Sequence, residues 1–356
     1  MYNPHKKSTK GSKSSNKANS QKFNREDLEI DDLINNSDSK QSSSVDQNYN
    51  VSMLTKQMQI KLTKTKILLI NLTSCITELA KLFILAGFNV YLYDKEVITK
   101  NDAINNIYLN EEDIGKSRLD MIYNKLILLN STVNISKIKD FTKVKDYKVA
   151  IAGFSDFNVL IQYEEYFNRK GIMFYILNTS GLYGFCYHNI SKKLISNFCD
   201  QTEEKFIESQ NSNSNNFLRK SEKYLEKEKI SEKDFIIIAV FLMEIYYRKN
   251  VDVKNLKNVL KDELNVDNKY MEKMFFIEGY LKKKKLSHIL ENTNLLDTFR
   301  KFIINFNREL NPICFIMAKK IFNVVFETFL SGNFPKEIMI TYNSDNLDEF
   351  DYNSFI

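Results

Sequence analysis

The chain has no tryptophan, three prolines and three histidines in 356 residues. Nucleophilic catalysis needs a thiol or hydroxyl beside a base. Here the histidines, His5, His188 and His288, stand far apart in the sequence, so no such constellation is predicted. Cysteine is as sparse. Cys75, Cys186, Cys199 and Cys314 form no CxxC pair and no Cys/His cluster, which argues against a structural zinc site and fits a reducing compartment. No apolar run is long enough to cross a bilayer. The longest, Phe235 to Met243, is half the needed length, and the first residues are polar and basic, so neither membrane insertion nor secretion is expected. Nor does one sign of charge dominate. The net charge of +6 comes from 51 Lys and Arg dispersed among 45 Asp and Glu, which predicts a solvated, mildly basic surface and no nucleic-acid partner.

What is present is a full apolar complement. With 43% hydrophobic residues the chain can bury a large core, as one domain with an insertion or as two domains. Residues 1–48 are the exception. Rich in Ser, Asn, Lys and Asp, they cannot offset the entropy of ordering and are predicted to be a disordered tail.

The most informative stretch is KILLINLTSCITELAKLFILAGFNVYLYD, Lys66 to Asp94. It reads as strand, tight turn, helix and strand, ending on an acid, the pattern of a dinucleotide-binding unit. Its glycines are gone. At the turn, the pyrophosphate approach and the helix contact stand Asn71, Ser74 and Ile76. A β-branched side chain adopts positive φ only at a cost, and any side chain there stands where backbone N–H groups meet a phosphate. The expectation is a nucleotide-binding framework whose cradle is closed by side-chain bulk. The same loss argues against a nicotinamide-dependent oxidoreductase.

Further along, apolar spacing predicts a short helix within Val51–Thr65, a helix over Ile114–Asn130 and a buried strand at Val149–Phe154. GIMFYILNTSGLYGFCYHNI adds a strand and a glycine-punctuated turn. A polar Asn/Ser linker follows, and Ile230–Phe306 shows helical periodicity with Lys-rich faces. Asn311 and Pro312 start a helix running to Leu330, and Lys336–Tyr342 reads as a closing strand. The resulting division is a tail over 1–48, the first part of a Rossmann-like α/β domain with a mainly parallel sheet over 49–195, a helical insertion over 196–306, and the end of the α/β domain over 307–356.

The order of these pieces is recognisable. KILLINL…ELAKLFILAGFNVYLYDKEVIT, YLNEEDIGKSRLDMIYNKLILLN, IMFYILNTSGLYGFCYHNI and ELNPICFIMAKKIFNVVFETFLSGNFP resemble the ThiF/MoeB-type adenylation fold shared by sulfur-carrier adenylyltransferases and ubiquitin-like activating enzymes. Within that family the chain is most similar to small, regulatory subunits of SUMO-activating enzymes. The resemblance implies a non-catalytic subunit of a heterodimer, found in nucleus and cytoplasm. Its larger partner would bind ATP and Mg, adenylate SUMO, carry it as a thioester and pass it to a conjugating enzyme. A regulatory subunit for the cullin modifier is the alternative within the family, but those subunits carry a much longer insertion. A scaffold of the same fold with no role in modifier activation is another.

The resemblance also carries site positions. Asp94 stands where a ribose-binding acid would be, Asn106 and Ile107 where the family has an Arg-Gln pair, and Arg118 near the basic start of a helix. The triphosphate clamp is thus incomplete, so no nucleotide is expected in this chain. For Asp94 and Arg118 the plainer reading is a capping or surface charge. Related small subunits lend an arginine to the partner's ATP site from a helix before the first strand. No Arg lies between Arg25 and Arg118, which leaves Lys56 or Lys61 as a point-charge substitute. Cys199 falls where the catalytic partner places its cysteine domain, without a basic context that would activate it. Cys75 and Cys314 read as packing residues. No catalytic residue and no metal ligand is predicted.

Overall fold

A computed structural model of the chain describes residues 56–189, 224–225, 231–248, 268–284, 293–331, 334–335 and 339–344. The predicted tail, the Asn/Ser linker, His5, His288 and Cys199 lie outside the described residues.

The first strand, β1 (Lys66–Ile70), is apolar on both faces. Its side chains alternate between two cores: Ile67 and Leu69 point to one, Leu68 and Ile70 to the other. A continuous apolar run suits a strand covered on both sides. It pairs in parallel with β2 (Asn89–Tyr93) and β4 (Tyr147–Gly153). Outside them run β3 (Ile135–Lys137) and β5 (Met173–Ser180), also parallel. A turn at Gly181, with φ +59, sends β6 (Tyr183–Asn189) back antiparallel to β5, and β7 (Met339–Asn343) closes the far edge antiparallel to β6. The order is β3-β2-β1-β4-β5-β6-β7. Its first five strands, with helical crossovers, are Rossmann-like.

On one face α2 (Ser74–Leu85) lies against α9 (Asn311–Ser331), with α4 (Arg118–Leu126) beside them. Leu79, Phe83, Met317, Ile321 and Val325 fill that layer. On the other face α5 (Phe157–Lys170) packs Leu160 and Phe167 onto the sheet. A short α1 (Lys56–Lys64) precedes β1, and α3 (Lys100–Asn105) follows β2.

Three further helices, α6 (Glu232–Arg248), α7 (Asn268–Lys283) and α8 (Thr293–Ile304), occupy the predicted insertion. They share a core with the sheet, in which Tyr183, Phe185 and Met339 meet Phe235, Ile238, Leu242 and Phe302. Every residue from Phe235 to Met243 is buried, because α6 is enclosed by α5, α7, α8 and β7. A helix that is apolar all round belongs in a protein core. Among the described residues, no helix is long and apolar enough to cross a membrane.

The expected fold class is the one observed, with several boundaries moved. The helix expected over Ile114–Asn130 spans only Arg118–Leu126. Ser117 takes an extended conformation, bridges back to Val97 and caps α4 by accepting from the Asp120 N–H. Neither β3 nor α5 was expected.

Candidate functional site: the degenerate nucleotide turn

The chain leaves β1 through Asn71, which adopts φ 57. Asparagine tolerates this left-handed conformation better than other non-glycine residues, so Asn71 performs the bend that glycine makes elsewhere. Its side chain then ties the turn down. Nδ2 donates to the carbonyls of Phe154 and, at 3.3 Å, Gly153. The turn packs so closely on β4 that a Cβ on Gly153 would lie 2.5 Å from the Asn71 carbonyl oxygen.

The expectation for Ile76 needs correction. Ser74 and Ile76 lie in the first turn of α2, where positive φ is not required. Ile76 buries its side chain in the α2–α9 layer. The bulk of Ile76 therefore does not close the cradle.

A carboxylate closes it. The N-cap residue of α2, Thr73, makes no side-chain capping bond. Instead Glu309, just before α9, reaches the helix start: Oε2 accepts from the Ser74 N–H at 2.8 Å and Oε1 from the Cys75 N–H at 3.2 Å. Exposed N–H groups and the helix dipole make this end an anion seat. The chain's own anion sits in it.

The ribose-acid position is equally engaged. Asp94 Oδ2 accepts from the Leu72 N–H at 2.7 Å and from Arg118 Nε at 2.7 Å. Asp94 Oδ1 accepts from the Glu96 N–H at 2.8 Å and from Arg118 Nη2 at 3.3 Å. Arg118 also donates through Nη1 to Asp102 Oδ1 at 3.0 Å and through Nη2 to Asn71 Oδ1. Asp102 is fixed in turn, since its other oxygen closes a capping box with Thr99 at the start of α3. Burial works against the Arg118 charge, but Asp94 and Asp102 outweigh it and hold the guanidinium above its usual pKa. The side chains of Arg118 and Asp94 are 8% and 1% exposed. The reading of these two as capping or surface charges is thus overturned: they form a buried ion pair, with Arg118 locking the acid a ribose would need.

Asn106 is buried too. It donates to Thr77 Oγ1 at 3.2 Å and accepts from the Tyr108 N–H at 3.0 Å, pinning the segment after α3 to α2. Ile107 beside it is exposed. Lys61, expected to serve a partner's site, donates to the Phe329 carbonyl at 2.6 Å in the last turns of α9. Lys56 is exposed on α1. Cys75, Cys186 and Cys314 are buried free thiols. Sequence reasoning missed Glu309, whose one signal was its place at the head of the ELNPICFIMA stretch, two residues before the helix begins at Asn311.

No protein-family model matches the chain. Over 124 residues it is 28% identical to ubiquitin-like modifier-activating enzyme 1 of Mus musculus, a match covering 33% of this chain and 12% of that enzyme. Over 141 residues it is 23% identical to SUMO-activating enzyme subunit 1 of Dictyostelium discoideum, covering 38% of this chain and 43% of that protein. Among solved structures, E. coli MccB with ATP aligns over 81% of this chain and 62% of MccB, at 13% identity and a TM-score of 0.46. Part of the chain is therefore related in sequence to E1-type ubiquitin-like modifier-activating enzymes, of which it spans a small fraction.

Proposed function

We propose that this chain is a non-catalytic subunit of a SUMO-activating enzyme, supplying one half of an adenylation dimer whose other half binds ATP and Mg. The observation that carries this reading is the Glu309 carboxylate on the α2 amides. A nucleotide would have to evict it to reach the same N–H groups, and would also have to break the Arg118–Asp94 pair. A chain related to activating enzymes, yet filled at both nucleotide contacts by its own side chains, fits a role carried out through a competent partner. The larger subunit would adenylate SUMO, form the thioester and pass SUMO to a conjugating enzyme, in nucleus and cytoplasm. Lys56 and Lys61, both on the helix before the first strand, are the lysines proposed for a contact with the partner's ATP site.

Coexpression with large activating subunits tests this. The expected outcome is a stable pair that exchanges pyrophosphate into ATP only when SUMO is added, while the isolated chain binds no ATP at millimolar concentration. Exchange driven by the cullin modifier would transfer the role to that pathway. A chain that pairs with neither subunit would be a scaffold, and micromolar ATP binding by the chain alone would refute the reading.

A further inference from the structure

The carboxylate of Glu309 has two unusual neighbours. The fold brings Cys75, in the first turn of α2, against Cys314, in the first turn of α9. One Sγ from each and one Glu309 carboxylate oxygen lie within 4.8 Å of one another. Cys314 Sγ is 3.8 Å from Glu309 Oε1, Cys75 Sγ is 3.5 Å from the Cys314 carbonyl oxygen, and Thr179 Oγ1 is 3.9 Å from Cys314 Sγ. Both thiols are fully buried. Sequence spacing hid this cluster, because its cysteines are 239 residues apart.

We infer that Cys75, Cys314 and Glu309 form a binding site for a thiophilic divalent cation of the zinc type, with three protein ligands and a fourth position for water. The dimensions suit such an ion. Tetrahedral zinc with sulfur at about 2.3 Å and oxygen at about 2.0–2.2 Å has sulfur–oxygen edges of about 3.5 Å. The observed 3.8 Å is one such edge, slightly opened. Two thiolates and a carboxylate select zinc-like metals over magnesium or calcium, which take oxygen ligands.

The surroundings support the donor set. Glu309 is already oriented by the two α2 amides, an outer-shell arrangement of the kind that fixes metal ligands. The positive end of α2 also offsets the excess negative charge of two thiolates and a carboxylate around one dication. On binding, each thiol gives its proton to solvent as its sulfur bonds the metal, with no change of oxidation state. Because binding releases these protons, affinity should climb with pH. The site stands whether or not the chain pairs with a catalytic subunit.

The test uses the reduced full-length chain titrated with Co2+ alone. A sulfur-to-cobalt charge-transfer band should grow and saturate at one equivalent, and Zn2+ should bleach it. Affinity should fall at least tenfold in Glu309→Gln, the band should vanish in Cys75→Ala/Cys314→Ala, and Cys199→Ser should leave it unchanged. A missing band in the native protein, a band kept by the double variant, or one lost in Cys199→Ser would each overturn the inference. Because the double variant removes two core side chains, X-ray absorption on the zinc-loaded native chain gives an independent reading. Two sulfur scatterers at about 2.3 Å support the site, whereas a shell of nitrogen and oxygen alone refutes it.

Discussion

At the residue scale, two charges decide what the turn can do. Glu309 provides at the start of α2 what an N-cap side chain would otherwise provide. Glu309→Ala should cost about 1–2 kcal/mol, read as a lower melting temperature. Inorganic phosphate or sulfate should restore part of that loss in the variant and do little for the native chain, since the freed amides again accept an anion. If the anions stabilise both proteins equally, the carboxylate is not seated where these bonds place it. Arg118 behaves differently, because removing it strands a buried charge. Arg118→Met should cost about 3–5 kcal/mol by leaving Asp94 uncompensated. Asp94→Asn together with Arg118→Met should cost less than the two single changes added. A double-mutant cycle in urea measures the difference, and strict additivity would mean that the pair is not coupled.

At the element scale, legibility followed the range of the forces. β1, α2 and β2 were readable because a buried parallel strand is apolar throughout and Ile76, Leu79, Ala80 and Phe83 repeat at helical spacing. β3 has only three residues and is defined by its pairing with β2, so no local pattern announces it. α5 buries Phe157, Leu160 and Phe167 between Gln162, Glu164, Glu165 and Asn168, so its stripe is thin and broken by polar residues. The turn's chemistry was hidden for a related reason: Glu309 is separated from Ser74 by 235 residues, and proximity across that distance exists only after folding. The fold places α6 more sharply than periodicity could. Its run from Phe235 to Met243 is buried on all sides, with Ile238 fully inaccessible, so α6 should be a structural keystone and not a detachable part of an insertion. Ile238→Ala should cost about 2–5 kcal/mol and lower the single melting transition of the whole body. A variant in which only a separate low-temperature transition shifts would show instead that α6–α8 unfold on their own.

At the scale of the whole molecule, several weak acids are folded into apolar layers in their protonated forms, and they set a limit on alkaline stability. Burial first, then Glu78, pushes half-buried Tyr108 up to about 12 from 10.0. Burial likewise raises Tyr175 and the thiols of Cys75 and Cys186. Unfolding returns these groups to ordinary values, near 9.0 for the thiols and 10.0 for the phenols. Below that range both states hold the same protons and stability does not depend on these groups. Above it the folded state keeps protons that the unfolded chain has released, so stability falls as pH rises, through about 12 for Tyr108. The melting temperature of the reduced protein should therefore change little between pH 7 and 8 on account of these groups and decline steadily from pH 9 to 11. Tyr175→Phe should reduce the slope above pH 10. It should also match or exceed the native stability at neutral pH, because the Tyr175 hydroxyl is buried with no hydrogen-bond partner among the described residues. A melting temperature that holds constant to pH 11, or a slope unaltered by Tyr175→Phe, would mean that these side chains reach water more readily than their places in the sheet and on α2 imply.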